Sequence, residues 1–256
     1  MEILDVHGVA LPLSSDEVSP VIWQALTDGS YEAKEARSVL KAIKPGDRVL
    51  ELGSGIGIIT SIIAGIDDVS VWAFEANPST AALAERVLKA NCRGNVVFSQ
   101  GLLTADAPST YPFYVRKDLW MSSMDENQGP YEQRIEISSE NIDEFIAGHG
   151  ITALVMDIEG AERDLLGRAD LAGVERIFAE LPDHLSGLAG VRDILQALTA
   201  QGYASAPRGS RGPCVLVFND DRPGAYHPAV VSHLGSPQPV IEFTEPSAYP
   251  LVLTAE

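Results

Sequence analysis

From Arg48 onward, short apolar runs alternate with segments whose apolar residues recur every three or four positions. Residues 48–52, 69–74 and 95–99 read as strands, because each is a brief β-branched or aromatic run bounded by turn residues. Residues 57–64, rich in isoleucine, read as a buried helix between the first two strands. Asn77-Pro78 opens the next helix, with Asn as N-cap and Pro as the first helical residue, and this helix runs to about Ala90. Residues 153–158 form a fourth strand with its helix at 161–169, and residues 176–181 a fifth. A helix over 191–201 stops at Gly202, after which residues 203–206 and 214–219 can pair antiparallel. The pattern predicts an α/β fold: a doubly wound, seven-stranded, mostly parallel sheet with an antiparallel last strand.

Three regions depart from the rhythm. Residues 1–30 form an N-terminal strand and cap segment. Their first thirteen positions alternate up to Pro12 and suggest one or two short edge strands. A helix over residues 31–43, ended by Lys44-Pro45-Gly46-Asp47, then opens the main domain, assigned to residues 31–220. Residues 101–138 are an insertion between strands three and four, with a hairpin of 111–115 and 134–137. Its Trp120, Met121 and Ser122-Ser123-Met124 read equally as a lid over the site or as core of the hairpin. A helix over 141–147 follows Ser138-Ser139. Residues 221–256 hold several prolines and no period, and are assigned as a tail.

Charge narrows the partners. With 18 basic and 36 acidic residues, the net charge of −18 repels phosphate backbones and anionic lipid surfaces. A small-molecule substrate is expected, with neither nucleic acid nor membrane as partner; a homodimer is left open. Cys92 and Cys214 are far apart, without a CxxC, and are expected as buried thiols in a reducing compartment. The first residues lack a basic start and a long apolar core, and no apolar run approaches the ~18 residues of a membrane span. A cytoplasmic location is the expectation.

The chemistry begins where strand one ends, in Val49-Leu50-Glu51-Leu52-Gly53-Ser54-Gly55-Ile56-Gly57. Glycines between a strand and a helix let backbone amides approach a ligand. A dinucleotide fingerprint, GxGxxG, would place its third glycine at position 58, which holds branched Ile58. Glu51, just before the glycines, suits a cationic ligand better than a pyrophosphate. Strand two ends in Phe74-Glu75-Ala76-Asn77-Pro78, and an acid there accepts hydrogen bonds from both hydroxyls of a ribose.

Together these two stretches resemble the Rossmann-like S-adenosylmethionine-dependent methyltransferases. Further stretches resemble the FkbM family: Gly29-Ser30-Tyr31-Glu32 before the first long helix, Lys44-Pro45-Gly46-Asp47 before strand one, and Ile135-Glu136-Ile137 followed by Asn141-Ile142-Asp143-Glu144-Phe145. The most specific is Asp157-Ile158-Glu159-Gly160-Ala161-Glu162 after strand four. The resemblance covers about residues 29–182. It departs from the commoner pattern in having Glu51 for Asp and Ala76 where Pro is usual. It implies S-adenosylmethionine as cofactor, with Mg2+ admitted but no metal required, and O-methylation of a sugar or polyketide-type metabolite. The cofactor-binding residues it implies are Glu32, Glu51, Gly53, Ser54, Gly55, Gly57, Glu75, Ala76, Asn77, Gln100, Gly101 and Asp157.

Methyl transfer from a sulfonium needs alignment and a group to take the acceptor's proton. Asp157 and Glu159 stand two positions apart, which puts both on one face if the strand continues through them. They could bind acceptor hydroxyls, act as base or hold a cation; alternatively Glu159 satisfies the amides of the next helix. Glu180 and His184 follow strand five as the other catalytic candidates, one as a cleft-lining acid and one as base. His7, His149 and His227 lie in poorly placed segments. Two other readings compete: an NAD(P)-dependent oxidoreductase, and a non-catalytic nucleoside-binding protein of the same fold.

Overall fold

The apolar runs pair into one large sheet in a computed structural model that describes residues 3–118, 121–207 and 209–219. The first described strands, β1 (Leu4–Val6) and β2 (Val9–Leu11), form their own antiparallel hairpin rather than an edge of that sheet. Helix α1 (Pro20–Asp28), absent from the sequence expectation, starts at Ser19, whose side chain caps it, and stops at left-handed Gly29. Hairpin and α1 share a core with the glycine loop, its helix and the helix over Pro78–Ala90: Val6, Leu11, Ile22 and Leu26 cluster with Ile56, Ile58 and Val87.

Helix α2 (Ala33–Ala42) leads into β3 (Arg48–Leu52), α3 (Ile58–Ile63), β4 (Ser70–Glu75), α4 (Pro78–Ala90) and β5 (Val96–Gln100). The insertion contributes β6 (Leu102–Thr104), β7 (Thr110–Val115) and β8 (Gln133–Asn141), a small sheet ordered β6-β8-β7. The hairpin was legible, but β6 was not: three residues are too few to show a period. Asn141 caps α5 (Ile142–His149) by accepting from the Glu144 amide, so the helix begins within one residue of the expected 141 and runs on to His149. Then follow β9 (Ala153–Met156), α6 (Glu162–Arg168), β10 (Arg176–Glu180), α7 (Asp183–Ala200), β11 (Tyr203–Ser205) and β12 (Cys214–Asn219). Helix α7 starts earlier than expected and contains a break at Gly187, where φ is 63° and ψ 174°.

The large sheet runs β11-β12-β10-β9-β3-β4-β5. Strands β10, β9, β3, β4 and β5 are parallel; β12 is antiparallel to both β10 and β11. One face buries Leu50, Leu52, Leu154, Met156 and Ile177, and the other Val49, Val71, Ala73, Val155 and Phe178. The chain winds outward from β3 in both directions, so the C-terminal ends of β3 and β9 flank the crevice where such sheets bind ligands. The tail assigned to residues 221–256 lies outside the described residues. Cys214 is buried, but Cys92 is exposed: it sits past the end of α4 with φ 51°, on a turn that leaves its side chain in solvent.

The far end of the sheet is tied by a buried ion pair, Arg176 with Asp47. Asp47 also accepts from the Thr152 hydroxyl (2.9 Å) and the Lys44 amide (2.7 Å), linking the turn before β3 to β9 and β10. Removing Asp47 leaves the buried Arg176 charge with only Glu175, 3.6 Å away and partly exposed. Asp47→Ala is therefore expected to cost about 3–5 kcal/mol in chemical denaturation, with an unchanged denaturant slope. A loss under about 1 kcal/mol would mean that the pair is not desolvated.

Candidate active site

The glycine loop is shaped by its backbone. Gly53, Gly55 and Gly57 all have positive φ (81°, 54° and 84°). The amides of Gly53 and Ser54 both donate to the Phe74 carbonyl, at 2.9 and 3.0 Å, which joins the loop to the end of β4. At Gly53 there is no room for a side chain: a Cβ would lie 1.8 Å from the Asp157 carbonyl oxygen. Across the loop, Glu75 is held by two backbone amides. Gly55 donates to its Oε2 at 2.9 Å, and Asn77 to its Oε1 at 2.8 Å. These bonds fix the carboxylate's direction at the mouth of the β3–β9 crevice.

A cleft of about 300 Å³ opens there. Its floor is the end of β3 and β4, with Leu52, Gly53, Gly55, Phe74, Glu75 and Ala76. Tyr31, Glu32 and Glu35 from the start of α2 form one wall, and Gly101 to Thr104 another. The insertion adds Phe113, Ser122 and Met124. Asp157, Glu159 and Glu180 complete it on the β9–β10 side.

Of the residues expected to bind cofactor, Glu32, Gly53, Gly55, Glu75, Ala76, Gly101 and Asp157 line this cleft. Five do not. Glu51 is 2% exposed, beneath the cleft beside Thr60, and its charge reaches Glu32 rather than the open space. Ser54 is buried behind the loop. Gly57 packs toward Ala84 of α4, 3.5 Å from where its Cβ would be, so its role is helix packing. Asn77 is the α4 cap, its side chain accepting from the Ser79 amide at 3.0 Å. Gln100 ends β5 with its side chain in solvent.

The catalytic candidates are also redistributed. Strand β9 ends at Met156, and Glu159 has φ 51°, so the shared-face argument for Asp157 and Glu159 fails. A left-handed turn, not strand alternation, brings both to the cleft. The helix amides are satisfied by a residue the sequence reading passed over. Glu162 is buried and accepts from Ile158 (2.9 Å) and Gly160 (2.7 Å), holding the turn that presents Asp157 and Glu159. Its signal was an acid at the first position of α6. Glu180 lines the cleft, but His184 is exposed in the first turn of α7 and does not.

Tyr31 and Glu35 were also missed. Glu35 lies one turn beyond Glu32 along α2, a spacing that puts both on one face. Arg116, buried in the insertion, donates to the carbonyls of Tyr114, Met121 and Asp125 and to the Ser123 hydroxyl. It fixes the 121–125 segment as a wall that brings Ser122 and Met124 to the cleft, whereas Met121 does not line it. Trp120 lies outside the described residues.

The electrostatics are one-sided. Among the described residues seven carboxylates line the cleft, and no lysine, arginine or histidine does. Burial, then the charges of Glu51 and Glu35, pushes Glu32 up to about 8. Burial, with the charge of Glu75, outweighs the nearby Thr60 hydroxyl and lifts Glu51 to about 8. Glu75 rises to about 7 by burial, against the amides that favour its ionised form. Glu159 reaches about 7 through burial and the charges of Glu162 and Glu180. Asp157 faces the cleft yet is hemmed in by protein, and desolvation with Glu180, Glu159 and Glu162 holds it well above the ordinary range. Glu32 Oε2 and Glu51 Oε2 are buried without a hydrogen-bond partner among the described residues.

These shifts fix a pH dependence. Each carboxyl binds its proton more tightly in the folded chain than at its ordinary 4.5, so the folded state is favoured at low pH. That stability is lost as pH rises from about 4.5 to about 8. Thermal unfolding of the ligand-free protein should therefore show Tm falling between about pH 5 and pH 8. A Tm that rises over this window would contradict the assigned shifts.

The arrangement suits S-adenosylmethionine. Among the described residues the buried Glu32 Oε2 lacks a partner at the cleft wall, an oriented acid faces the cleft mouth, and a Cβ-free loop lets a ligand lie against backbone. Glu75 would hold the ribose hydroxyls, and the Glu32 side of the cleft would meet the positive charge of the methionine part. The metal expectation finds no support at Asp157 and Glu159. Among the described residues, the only group of three or more such donors converging within 4.8 Å of one another is Glu35, Glu180 and Cys214.

No curated protein matches the sequence. Solved structures similar to this chain include Trm5b from Pyrococcus abyssi, at 15% identity and TM-score 0.45, over 83% of this chain and 52% of that one. The chain thus spans about half the length of that protein. TYW2 of M. jannaschii in complex with AdoMet is similar at 13% identity and TM-score 0.44, over 84% of this chain and 82% of that one. Aeropyrum pernix fibrillarin with bound S-adenosyl-L-methionine is similar at 14% identity and TM-score 0.42, over 72% and 74%. Likenesses at this level say nothing of substrate. The model for the methyltransferase FkbM domain matches residues 61–204, more than half of the chain, and that stretch includes Glu75, the Asp157–Glu162 turn and Glu180. The chain therefore belongs to the FkbM methyltransferase family, and it carries a Rossmann-like, S-adenosylmethionine-dependent methyltransferase domain.

Proposed function

We propose that the cleft binds S-adenosylmethionine and directs its methyl group to a hydroxyl of a sugar or polyketide-type small metabolite. In this reading residues 31–220 are the catalytic domain and residues 1–30 its buttress. The observation that carries the reading is the fixed direction of Glu75 beside a loop that excludes a Cβ at Gly53. When bound, the donor supplies a methyl on a sulfonium, which becomes a neutral thioether once the acceptor oxygen has taken the methyl.

The chain's own residues supply position and proton acceptance. Glu75 orients the ribose, and the glycine loop sets the depth of the methionine part. Glu159 is the best-matched base: it lines the cleft, and a carboxyl near 7 takes a hydroxyl proton at neutral pH better than an ordinary one. Asp157 and Glu180 stand beside it to hold acceptor hydroxyls. A dinucleotide fits poorly, because its pyrophosphate would meet carboxylates with no cation in the lining among the described residues. The same charge, with the net −18, argues against a nucleic-acid acceptor. No described helix is long and apolar enough to cross a membrane.

A methyl-transfer screen over sugar and polyketide hydroxyl acceptors, read as a gain of one methylene in mass, tests the reading. Transfer to oxygen is expected. Methylation confined to nitrogen or carbon acceptors would overturn the hydroxyl assignment and leave the donor assignment intact.

A further inference from the structure

On the reading that this cleft is a methyltransferase site, the donor accounts for only part of its charge. Glu75 and Glu32 suffice for the ribose and the positive methionine end. On the β10 side, Glu35 of α2 and Glu180 of β10 remain, converging from separate elements. Their facing oxygens lie within 4.8 Å of each other and of Cys214 Sγ. One ammonium group placed between two oxygens at that spacing reaches both within hydrogen-bond distance. Among the described residues neither acid forms a salt bridge. Lys34 and His184 are close enough to lower Glu180, but neither lines the cleft. Deeper in, the charge of Glu51 presses on Glu32, and among the described residues no cation lines this wall.

We propose that the methyl acceptor is a polyhydroxylated molecule bearing an amine, whose ammonium group seats between Glu35 and Glu180 while a hydroxyl faces Glu159. A divalent ion fits the same place less well. Hard cations take six or more oxygens, and only two carboxylates converge here. A zinc-type site would need the Cys214 thiolate. The Cys214 thiol instead donates to Glu35 at 3.2 Å, and burial with that contact pushes its proton loss upward.

The test compares matched acceptors on the full chain. Amino sugars and aminocyclitols are set against their N-acetyl counterparts and against uronic acids of similar size, with kcat/KM read by mass. The amine-bearing class is expected to lead its N-acetyl partners by about tenfold or more, since one retained charge pair of about 1.4 kcal/mol gives that factor. Glu35→Gln is expected to shrink that lead several-fold, with folding checked by circular dichroism. If this variant does not fold, the wild-type comparison stands alone. Equal or better turnover of neutral or acidic acceptors overturns the proposal. So does a lack of turnover in the amine class by protein that binds S-adenosylhomocysteine. Tight binding of Zn2+ or Mg2+ alone, abolished by Glu35→Gln, also overturns it by making the pair a metal site. Failure to bind S-adenosylhomocysteine would instead sink the underlying methyltransferase reading.

Discussion

Glu75→Ala is expected to weaken S-adenosylhomocysteine binding by about a hundredfold or more in calorimetric titration. A carboxylate that accepts from two ribose hydroxyls gives up two hydrogen bonds to a charged group when truncated, each worth about 1.5–3 kcal/mol. Their sum, about 3 kcal/mol or more, corresponds to a factor of at least ~100 in Kd. The substitution also frees the amides of Gly55 and Asn77, which Glu75 now holds at 2.9 and 2.8 Å, so the loop loses its fixed direction. Glu75→Gln keeps the size and one acceptor oxygen and should fall between wild type and Ala. Circular dichroism separates this effect from unfolding. An unchanged Kd for Glu75→Ala would remove the ribose role.

Gly53→Ala should damage the fold rather than only the affinity. Its Cβ would stand 1.8 Å from the Asp157 carbonyl oxygen and 2.8 Å from that carbonyl carbon, both backbone atoms. No rotamer relieves such an overlap. Strands β3 and β9 would have to part where Leu52 pairs with Met156 and the Asp157 amide donates to the Leu52 carbonyl at 3.0 Å. With a φ of 81° adding strain, a cost above about 4 kcal/mol is expected, close to the whole stability of a marginal domain. Gly55→Ala is the contrast. Its nearest neighbour would be Glu32 Oε1 at 3.5 Å, so only the backbone strain of about 1–2 kcal/mol remains. Chemical denaturation of the two variants should separate them clearly. Equal, small losses would mean that the β3–β9 approach is looser than the geometry requires.

The two glycines also mark what the sequence could convey. Period and punctuation were enough for the large sheet, because a buried parallel strand must be a short apolar run and its helix must start at a cap such as Asn77. Helix α1 was hidden by its polar surroundings, and its Ser19-Pro20 start was not weighed as a cap. At the site, Glu75 was readable because a strand-ending acid before an N-cap has few other uses. Glu162 was not, because strand alternation was carried through Asp157 and Glu159, where the chain has already turned left-handed. Glu35 was invisible for a different reason. Only the fold brings α2 against β10 and β12, and with them Glu180 and Cys214. Gln100 and His184 show the converse: suitable chemistry at suitable positions, turned to solvent by the pitch of one strand end and one helix turn.

The central claim is that this acidic, glycine-floored cleft holds the methyl donor. Calorimetric titration of the full chain with S-adenosylhomocysteine at about pH 8, where the raised carboxyls of Glu32 and Glu75 are substantially ionised, tests it most directly. Saturable binding at one site per chain is the predicted result, together with a rise in Tm. Absence of both heat and thermal shift, in protein that is folded by circular dichroism, would contradict the account.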